Sequence, residues 1–528
     1  MAAPLQIAVI GAGWAGLAAA IGATDVGHAV TLFEAARSVG GRAKSIDAAQ
    51  PDGSRLDNGQ HILIGAYTET LGLMRRVGLQ PADLLLELPL VLQFPDGRGL
   101  RLPDWPAPLD ALVGVAWAHG WTLADKASLL HHLLGWRRQG FRCDTALSVA
   151  DLCRGLSARI LAELIEPLCV AALNTPAAQA SASVFLRVLQ DVLLGPAGAS
   201  HLLLPRTDLS RLFPEAASHW LIQHGTTLRL GERVQHITCD TAGWRVHDRL
   251  FDAVVVAGSA THAAQLLKNS TAETDAAHAR SLHAWTRLAD ALRFEAIATV
   301  YAQAPQARLA QPMLALRSDA SAPAQFVFDR GQLGGPAGLL AFVVSASQGD
   351  RARLQSQVLA QARAQLGLNL APVKTVIEKR ATFACTPGLL RPAQQIAPGL
   401  LACGLLLAGC AGSAPQDASP PPLAAQPAAV AVEQARVPEA PAPAAEPDAG
   451  ALEEANIFFA PGTATIDANG VPLLDGSEDY GPTIQYSTDN GTNWSTYTSG
   501  TVALNGSGSL LFRTLIINDN LYEGSHTF

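Results

Sequence analysis

The chain has 528 residues, of which 49% are hydrophobic and only 16% charged, and its formal net charge is -8 at pH 7. That length supports two or more cores, and the acidic balance lacks the basic footprint of a nucleic-acid binder. Seven scattered cysteines (Cys143, Cys153, Cys169, Cys239, Cys385, Cys403 and Cys410), with no CxxC pair and no His-rich cluster, argue against bound metal and against a disulfide framework.

The first apolar run is IAVIGAGWAGLAAAI, Ile7 to Ile21. A continuous apolar run of this length reads as a buried parallel strand, followed by a glycine turn and a small-residue helix. Gly11 permits the tight turn, Gly13 lets the backbone approach a pyrophosphate, and Gly16 allows the helix to pack on its strand. The next strand, HAVTLFEA, ends at Glu34, where a carboxylate can accept the hydroxyls of an adenosine ribose. Because this run is a nucleotide-fold strand and not a signal segment, the enzymatic part is expected in the cytoplasm.

After Glu34 the sequence ARSVGGRA places Gly41 and Arg42 where backbone and guanidinium meet a diphosphate. This arrangement favours FAD over a nicotinamide cofactor. Next comes LDNGQH, in which Gly59 can lie against a planar ring while Gln60 or His61 faces a substrate. Asp57 and His61 are the candidate acids in this segment.

From Leu84, short strands surround the Asp96-Gly97 turn, and helices rich in Leu, Trp and His follow. Thr122 with Asp125 marks a helix start. Trp117, Trp121, Trp136 and Phe141 fit either an apolar tunnel or the core of a helical cap. The Arg137-Arg138 pair beside them allows peripheral contact with a membrane surface. A helix from Leu209 to His224 leads to TTLRLGERVQHITCDTAGWRV, which reads as two strands, with Arg233-Val234 bringing backbone to the adenine. The buried strand Val254 to Ala257 completes the return of the nucleotide domain. Strands near 296–302, 311–316, 326–328 and 338–345, a helix over 351–366 and a strand from Val376 then build a substrate domain.

Five stretches, IAVIGAGWAGLAAA, LFEAARSVGGRAKS, LDNGQHILIGAYTETL, EPLCVAALNTP and EKRATFACTPGLLRP, together resemble the squalene-associated FAD-dependent desaturase family, within the amine oxidases and carotenoid desaturases. The resemblance spans roughly residues 5 to 400. It implies noncovalent FAD, a long-chain isoprenoid substrate and reduction of hydroxysqualene to squalene in hopanoid formation. Gly11, Gly13, Gly16, Glu34, Gly41 and Arg42 would serve the cofactor, and Gly59, Gln60 and His61 would face flavin and substrate. Carotenoid-type desaturation is the sister reaction.

The fold expected is α/β: a Rossmann-like FAD domain (1–83 and 201–270), a substrate and cap region (84–200), and a mixed-sheet substrate domain (271–400). An apolar segment with an Ala/Pro-rich disordered linker (401–450) and a β-rich segment (451–528) follow. Members of the family continue past Arg391-Pro392 into a strand ending in Gly-Asp and a final helix. Here the sequence reads PGLLACGLLLAGCAGSAPQD, resembling a lipoprotein signal with Cys410 at the lipidated position. IQYSTDNGTNWSTYTSG then signals a β-hairpin of secreted character. Two readings of this half stand: a surface-binding module native to the protein, or a composite chain whose FAD site lacks its closing segment.

Overall fold

In the computed structural model, which describes residues 3–49, 55–105, 108–240, 243–271 and 276–403 and, further on, 480–487, 495–497 and 511–516, the first apolar run forms strand β1 (Gln6–Ile10). It pairs in parallel with β2 (Ala29–Glu34) on one side and with Ala253–Val256 on the other. Helix α1 (Trp14–Asp25) makes the crossover. Thr227–Leu230 extends the sheet beyond β2, and Leu400–Ala402 followed by the antiparallel Gln395–Ala397 extends it beyond Ala253–Val256, giving six strands. Ala8, Val9, Leu32 and Val254 are fully enclosed, because apolar layers cover both faces of this sheet. One layer is α1 with Leu212, Phe213 and Leu221; the other includes Trp244, Leu267 and Trp285.

Two sequence expectations are corrected here. The helix expected from Leu209 to His224 is two helices, Leu209–Leu212 and Pro214–Gln223, broken at Phe213 with φ -154. A residue before proline is driven out of helical geometry, and Pro214 has no N–H to continue the ladder. Leu401 and Ala402, read as lying past the family segment, instead complete the strand beside Val255 and Val256.

A second, antiparallel sheet takes the order 313–315, 326–329, 339–344, 294–303, 371–383. Side chains alternate across it. Phe326, Phe328, Ala341 and Val343 face the helical cap, while Val327, Phe342 and Val344 pack on helix Arg351–Leu366.

The cap is formed by helices Leu109–Trp117, Leu123–Arg138, Val149–Leu152, the run 158–173 and Ala182–Leu193. Thr122 and Asp125 exchange side-chain and backbone hydrogen bonds at 2.8 and 3.2 Å, closing a capping box. The turn Leu161–Ile165 is widened to π geometry just ahead of Pro167, which removes an N–H and crowds the preceding carbonyls. Trp121, Trp136 and Phe141 are buried within the cap, Trp121 donating its indole N–H to Glu163 at 3.0 Å. They serve as cap core, whereas Trp117 stands outside it.

The chain divides into two units, Met1–Pro422 and Leu423–Phe528. In the second, Tyr480–Ser487 pairs antiparallel with Ser495–Tyr497 and with Leu511–Ile516, which gives the expected hairpin its two strands. The lipoprotein-like stretch with Cys410 and the Ala/Pro-rich linker lie outside the described residues.

Candidate cofactor cleft and active site

The glycine loop is held from two directions. Gly11, at φ 109, leaves β1, and a Cβ there would lie 2.9 Å from the Ala257 carbonyl oxygen. At Gly16 a Cβ would fall 1.8 Å from the Gly11 carbonyl oxygen, so α1 reaches its sheet only through a glycine. Gly13 caps α1 with no side-chain partner and no acid in the first turn, which leaves the first N–H groups for an anion. Gly40 bridges Gly13 in parallel, and a Cβ on Gly41 would meet the Gly13 Cα at 3.0 Å. Two glycine segments thus lie side by side with no side chain between them.

Glu34 fixes this loop. One carboxylate oxygen accepts the Ala12 N–H at 2.7 Å and the other the Ala36 N–H at 2.7 Å. Gly231 and Glu232 donate to the Ala36 and Glu34 carbonyls at 2.9 Å, so the segment leading to Val234 runs beside the same corner. Val234 itself is buried against Phe33, Val246 and Val256.

Arg42 donates through Nη1 to the carbonyls of Arg380 and Ala381, at 2.7 and 2.8 Å, and so joins the loop after β2 to the second sheet. Gly41, Arg42 and His61 are open to water. Yet burial lowers the Arg42 pKa, opposed by Glu378, and burial also pushes the His61 imidazole below its usual range. Side chains that water reaches while protein surrounds them line an internal cleft. The Gly59 carbonyl opposes the His61 shift and the nearby Arg42 charge adds to it, which places Arg42 and His61 within electrostatic reach of each other.

His61 Nδ1 lies 2.8 Å from the Gly59 carbonyl oxygen, an obligate acceptor, so Nδ1 carries the proton and Nε2 the lone pair of the neutral ring. Gln60 is fixed at three points. Its backbone N–H meets Thr299 Oγ1 at 3.3 Å, its Nε2 donates to the His61 carbonyl at 3.2 Å, and its Oε1 accepts from Arg330 Nη1 at 3.2 Å. A Cβ on Gly59 would meet only the His61 ring and Thr299, at 3.5 Å or more, so protein packing alone does not require glycine there.

Asp57 stands behind this wall. It is 4% exposed, accepts the Leu209 N–H at 2.9 Å, and faces the 6%-exposed Arg330 at 4.0 Å. Desolvation raises its pKa to about 6, opposed by the Leu209 hydrogen bond and by Arg330, with Asp208 adding to the rise. Tyr301 donates its hydroxyl to the Asp57 carbonyl at 3.0 Å. Arg330 and Tyr301 were not singled out in the sequence. The sequence shows only that a charged pair, Asp329 and Arg330, closes the buried strand Phe326–Asp329.

The cap is locked to this region by Asn174, in the left-handed conformation at φ 47 after helix Glu166–Leu173. Its side chain donates to Thr382 Oγ1 at 3.0 Å and accepts the Ala346 N–H at 2.7 Å. A surface cavity of about 810 Å³ on the cap, walled by His131, Trp136 and Arg142, includes none of the cleft residues. Among the described residues no His/Cys/Asp/Glu group is arranged to hold a metal ion, and no helix is long and apolar enough to cross a membrane.

An uncapped helix N-terminus, two facing glycine segments and an acid closing the loop fit a flavin dinucleotide. Residues 14–410 match the family model for flavin containing amine oxidoreductases. The chain belongs to that family. FAD is accordingly its cofactor, and the chain is an FAD-dependent oxidoreductase. It is 30% identical to a hydroxysqualene dehydroxylase of Rhodopseudomonas palustris over 279 residues, 49% of this chain and 63% of that one. A second, of Zymomonas mobilis, is 26% identical over 234 residues, 43% of this chain and 54% of the relative. The chain thus spans little more than half the length of these curated relatives. A probable zeta-carotene desaturase of Synechococcus elongatus is 43% identical over 75 residues, 14% of this chain and 15% of that one. Among solved structures, an oxidoreductase from Methanosarcina mazei shares the fold with a TM-score of 0.55 at 16% identity, covering 75% of this chain and 94% of the other.

Proposed function

We propose that this flavoenzyme acts on a long isoprenoid and reduces hydroxysqualene to squalene. The observation that carries the reading is the similarity to hydroxysqualene dehydroxylases across about half of the chain. The desaturase similarity is higher in identity but confined to 75 residues, which supports carotenoid-type desaturation as the second reading.

In this reading the glycine loop and the first turn of α1 hold the diphosphate, Glu34 the ribose, and Val234 the adenine end. Gly41 and Arg42 lie along the dinucleotide, and Gly59 leaves room for the ring system. Reduced FAD, when bound, supplies the hydride that replaces the allylic hydroxyl, which takes a proton and leaves as water. His61 acts as the acid by relay: its neutral ring, held at Nδ1 by Gly59, takes a proton from water at Nε2 and passes it to the departing hydroxyl. Gln60, held between Arg330 and the His61 carbonyl, positions that ring. Asp57 acts from behind by balancing the Arg330 charge.

The test is anaerobic turnover of hydroxysqualene with reduced flavin, beside ζ-carotene with oxidised flavin. Squalene formation supports the first reading; desaturated carotenoid alone rejects it in favour of the second. His61→Gln is expected to lower kcat at least tenfold with FAD still bound. We also propose that the sequence after Ala402 weakens FAD retention, because it departs from the family's closing strand-turn-helix. Equal FAD content in this chain and in one carrying the family segment rejects that part.

A further inference from the structure

Within GAGWAG, Trp14 is the one residue larger than alanine, and it stands at the first position of helix α1. Its half-buried indole reaches across to the second glycine segment. Nε1 donates to the Ala43 carbonyl at 3.0 Å, and the ring lies against Phe213 with centroids 5.0 Å apart and planes tilted by 43°. A phenylalanine could pack on Phe213 in the same way; only tryptophan adds the N–H. The acceptor it finds is one residue past Arg42.

Residues 40–45 are held at three points. At the start, the Gly40 N–H donates to the Ala12 carbonyl at 2.8 Å. At the end, the Ser45 N–H meets Ser210 Oγ at 3.0 Å and the Lys44 carbonyl accepts the Asn58 N–H at 3.0 Å. Trp14 supplies the middle point, and Gly41 and Arg42 lie between it and the first. Gly41, at φ 61, has no side chain of its own to fix that stretch. The helix break at Phe213 serves the same corner. It brings Phe213 against Trp14 and sets Pro214 Cγ 3.4 Å from where a Cβ on Gly40 would lie.

We propose that Trp14 is a positioning residue for the cofactor: its indole bond to Ala43 fixes the backbone of Gly41 and Arg42, and with it the aim of the guanidinium, before FAD binds. The inference rests on the reading that Gly41 and Arg42 lie along the dinucleotide, and it holds whatever the substrate. Arg42 Nη1 is committed to the Arg380 and Ala381 carbonyls at 2.7 and 2.8 Å, which leaves the Nε–Nη2 edge for a diphosphate oxygen. A small rotation of the loop turns that edge away. A loop that is not held in advance must be ordered as the cofactor binds, and affinity falls by that cost.

A double-mutant cycle on FAD affinity tests it, with the full-length chain carrying Trp14→Phe, Arg42→Gln or both, each stripped of flavin and titrated with FAD. Trp14→Phe is expected to weaken binding about three- to tenfold. The two changes together should cost less than the product of their separate losses. Benzothienylalanine at position 14, which keeps the shape of the ring and lacks the N–H, should match Trp14→Phe. Hydrogen exchange of the FAD-free protein reads the loop without any affinity: peptides covering 40–45 should exchange faster in Trp14→Phe, and those covering β2 should not. If Arg42→Gln binds FAD as the parent does, the reading of Arg42 fails and this inference with it. A loss in Arg42→Gln with none in Trp14→Phe, losses that simply multiply, or unchanged exchange at 40–45 overturns this inference alone. A lower unfolding temperature of FAD-free Trp14→Phe at unchanged affinity overturns it in favour of packing.

Discussion

The Glu34 carboxylate accepts the backbone N–H of Ala12 across the mouth of the glycine loop, at 2.7 Å, while its other oxygen accepts Ala36 at the same distance. One side chain therefore sets the separation of the two backbone segments that flank the dinucleotide. Glu34→Ala removes two charge-assisted bonds, each worth about 1.5–3 kcal/mol. FAD affinity should fall at least tenfold, read from flavin release on dilution. Glu34→Gln, which can replace only one acceptor, should fall between the variant and the parent.

Gly16 and Gly22 lie on the same helix and should respond in opposite directions. A methyl at Gly16 meets the Gly11 carbonyl at 1.8 Å, so Gly16→Ala must push α1 off the sheet and is expected to abolish FAD retention. At Gly22 nothing lies within 4 Å, and Gly22→Ala should stabilise by about 0.5–1 kcal/mol through helix propensity. Thermal unfolding of the two variants, with and without added FAD, separates steric from entropic effects.

The Asp57–Arg330 pair makes a pH-dependent prediction. The folded-state pKa of Asp57 is raised from 3.8 to about 6, so its protonated form is favoured by folding. The contribution of this site to stability is full below 3.8 and is lost as pH rises through about 6. Arg330→Gln leaves a buried carboxylate uncompensated and should cost about 3–5 kcal/mol at neutral pH. The cost should shrink on acidification, as Asp57 becomes neutral. Urea unfolding across that range checks it; a pH-independent loss would assign Arg330 a packing role only.

Asn174 performs three tasks at one position: it holds φ 47, donates to Thr382 and accepts from Ala346. Asn174→Ala loses both bonds and strains the backbone, an expected loss of about 2–4 kcal/mol. Asn174→Gly keeps the conformation without the bonds and should recover about 1 kcal/mol of that loss. Chemical denaturation distinguishes them.

What the sequence made legible was local. The β1–α1–β2 unit, the Thr122 capping box and helix Arg351–Leu366, bounded by Asp350 and by Gly367 at φ 69, each carry their instructions within a few residues. The break at Phe213 was also local but was masked by continuous helical periodicity around Pro214. Arg330 was different in kind. Its partners Asp57 and Gln60 lie some 270 residues away, so no window of sequence shows that they meet. The same holds for Arg42, whose arginine was evident but whose contact with the Arg380 and Ala381 carbonyls was not.

The cofactor sheet also imposes an order on synthesis. Val254 pairs with Ala8 on one side and with Leu400 on the other, so the sheet gathers strands from the first, middle and last parts of the body that runs to Cys403. A ribosome moving at about 5–20 residues per second delivers Leu400 roughly 7–30 s after Val254. Throughout that interval the edge of Ala253–Val256 offers unpaired backbone to any passing strand. Cells producing this enzyme should therefore depend on a holding chaperone, and slowing translation should raise aggregation in proportion to the wait.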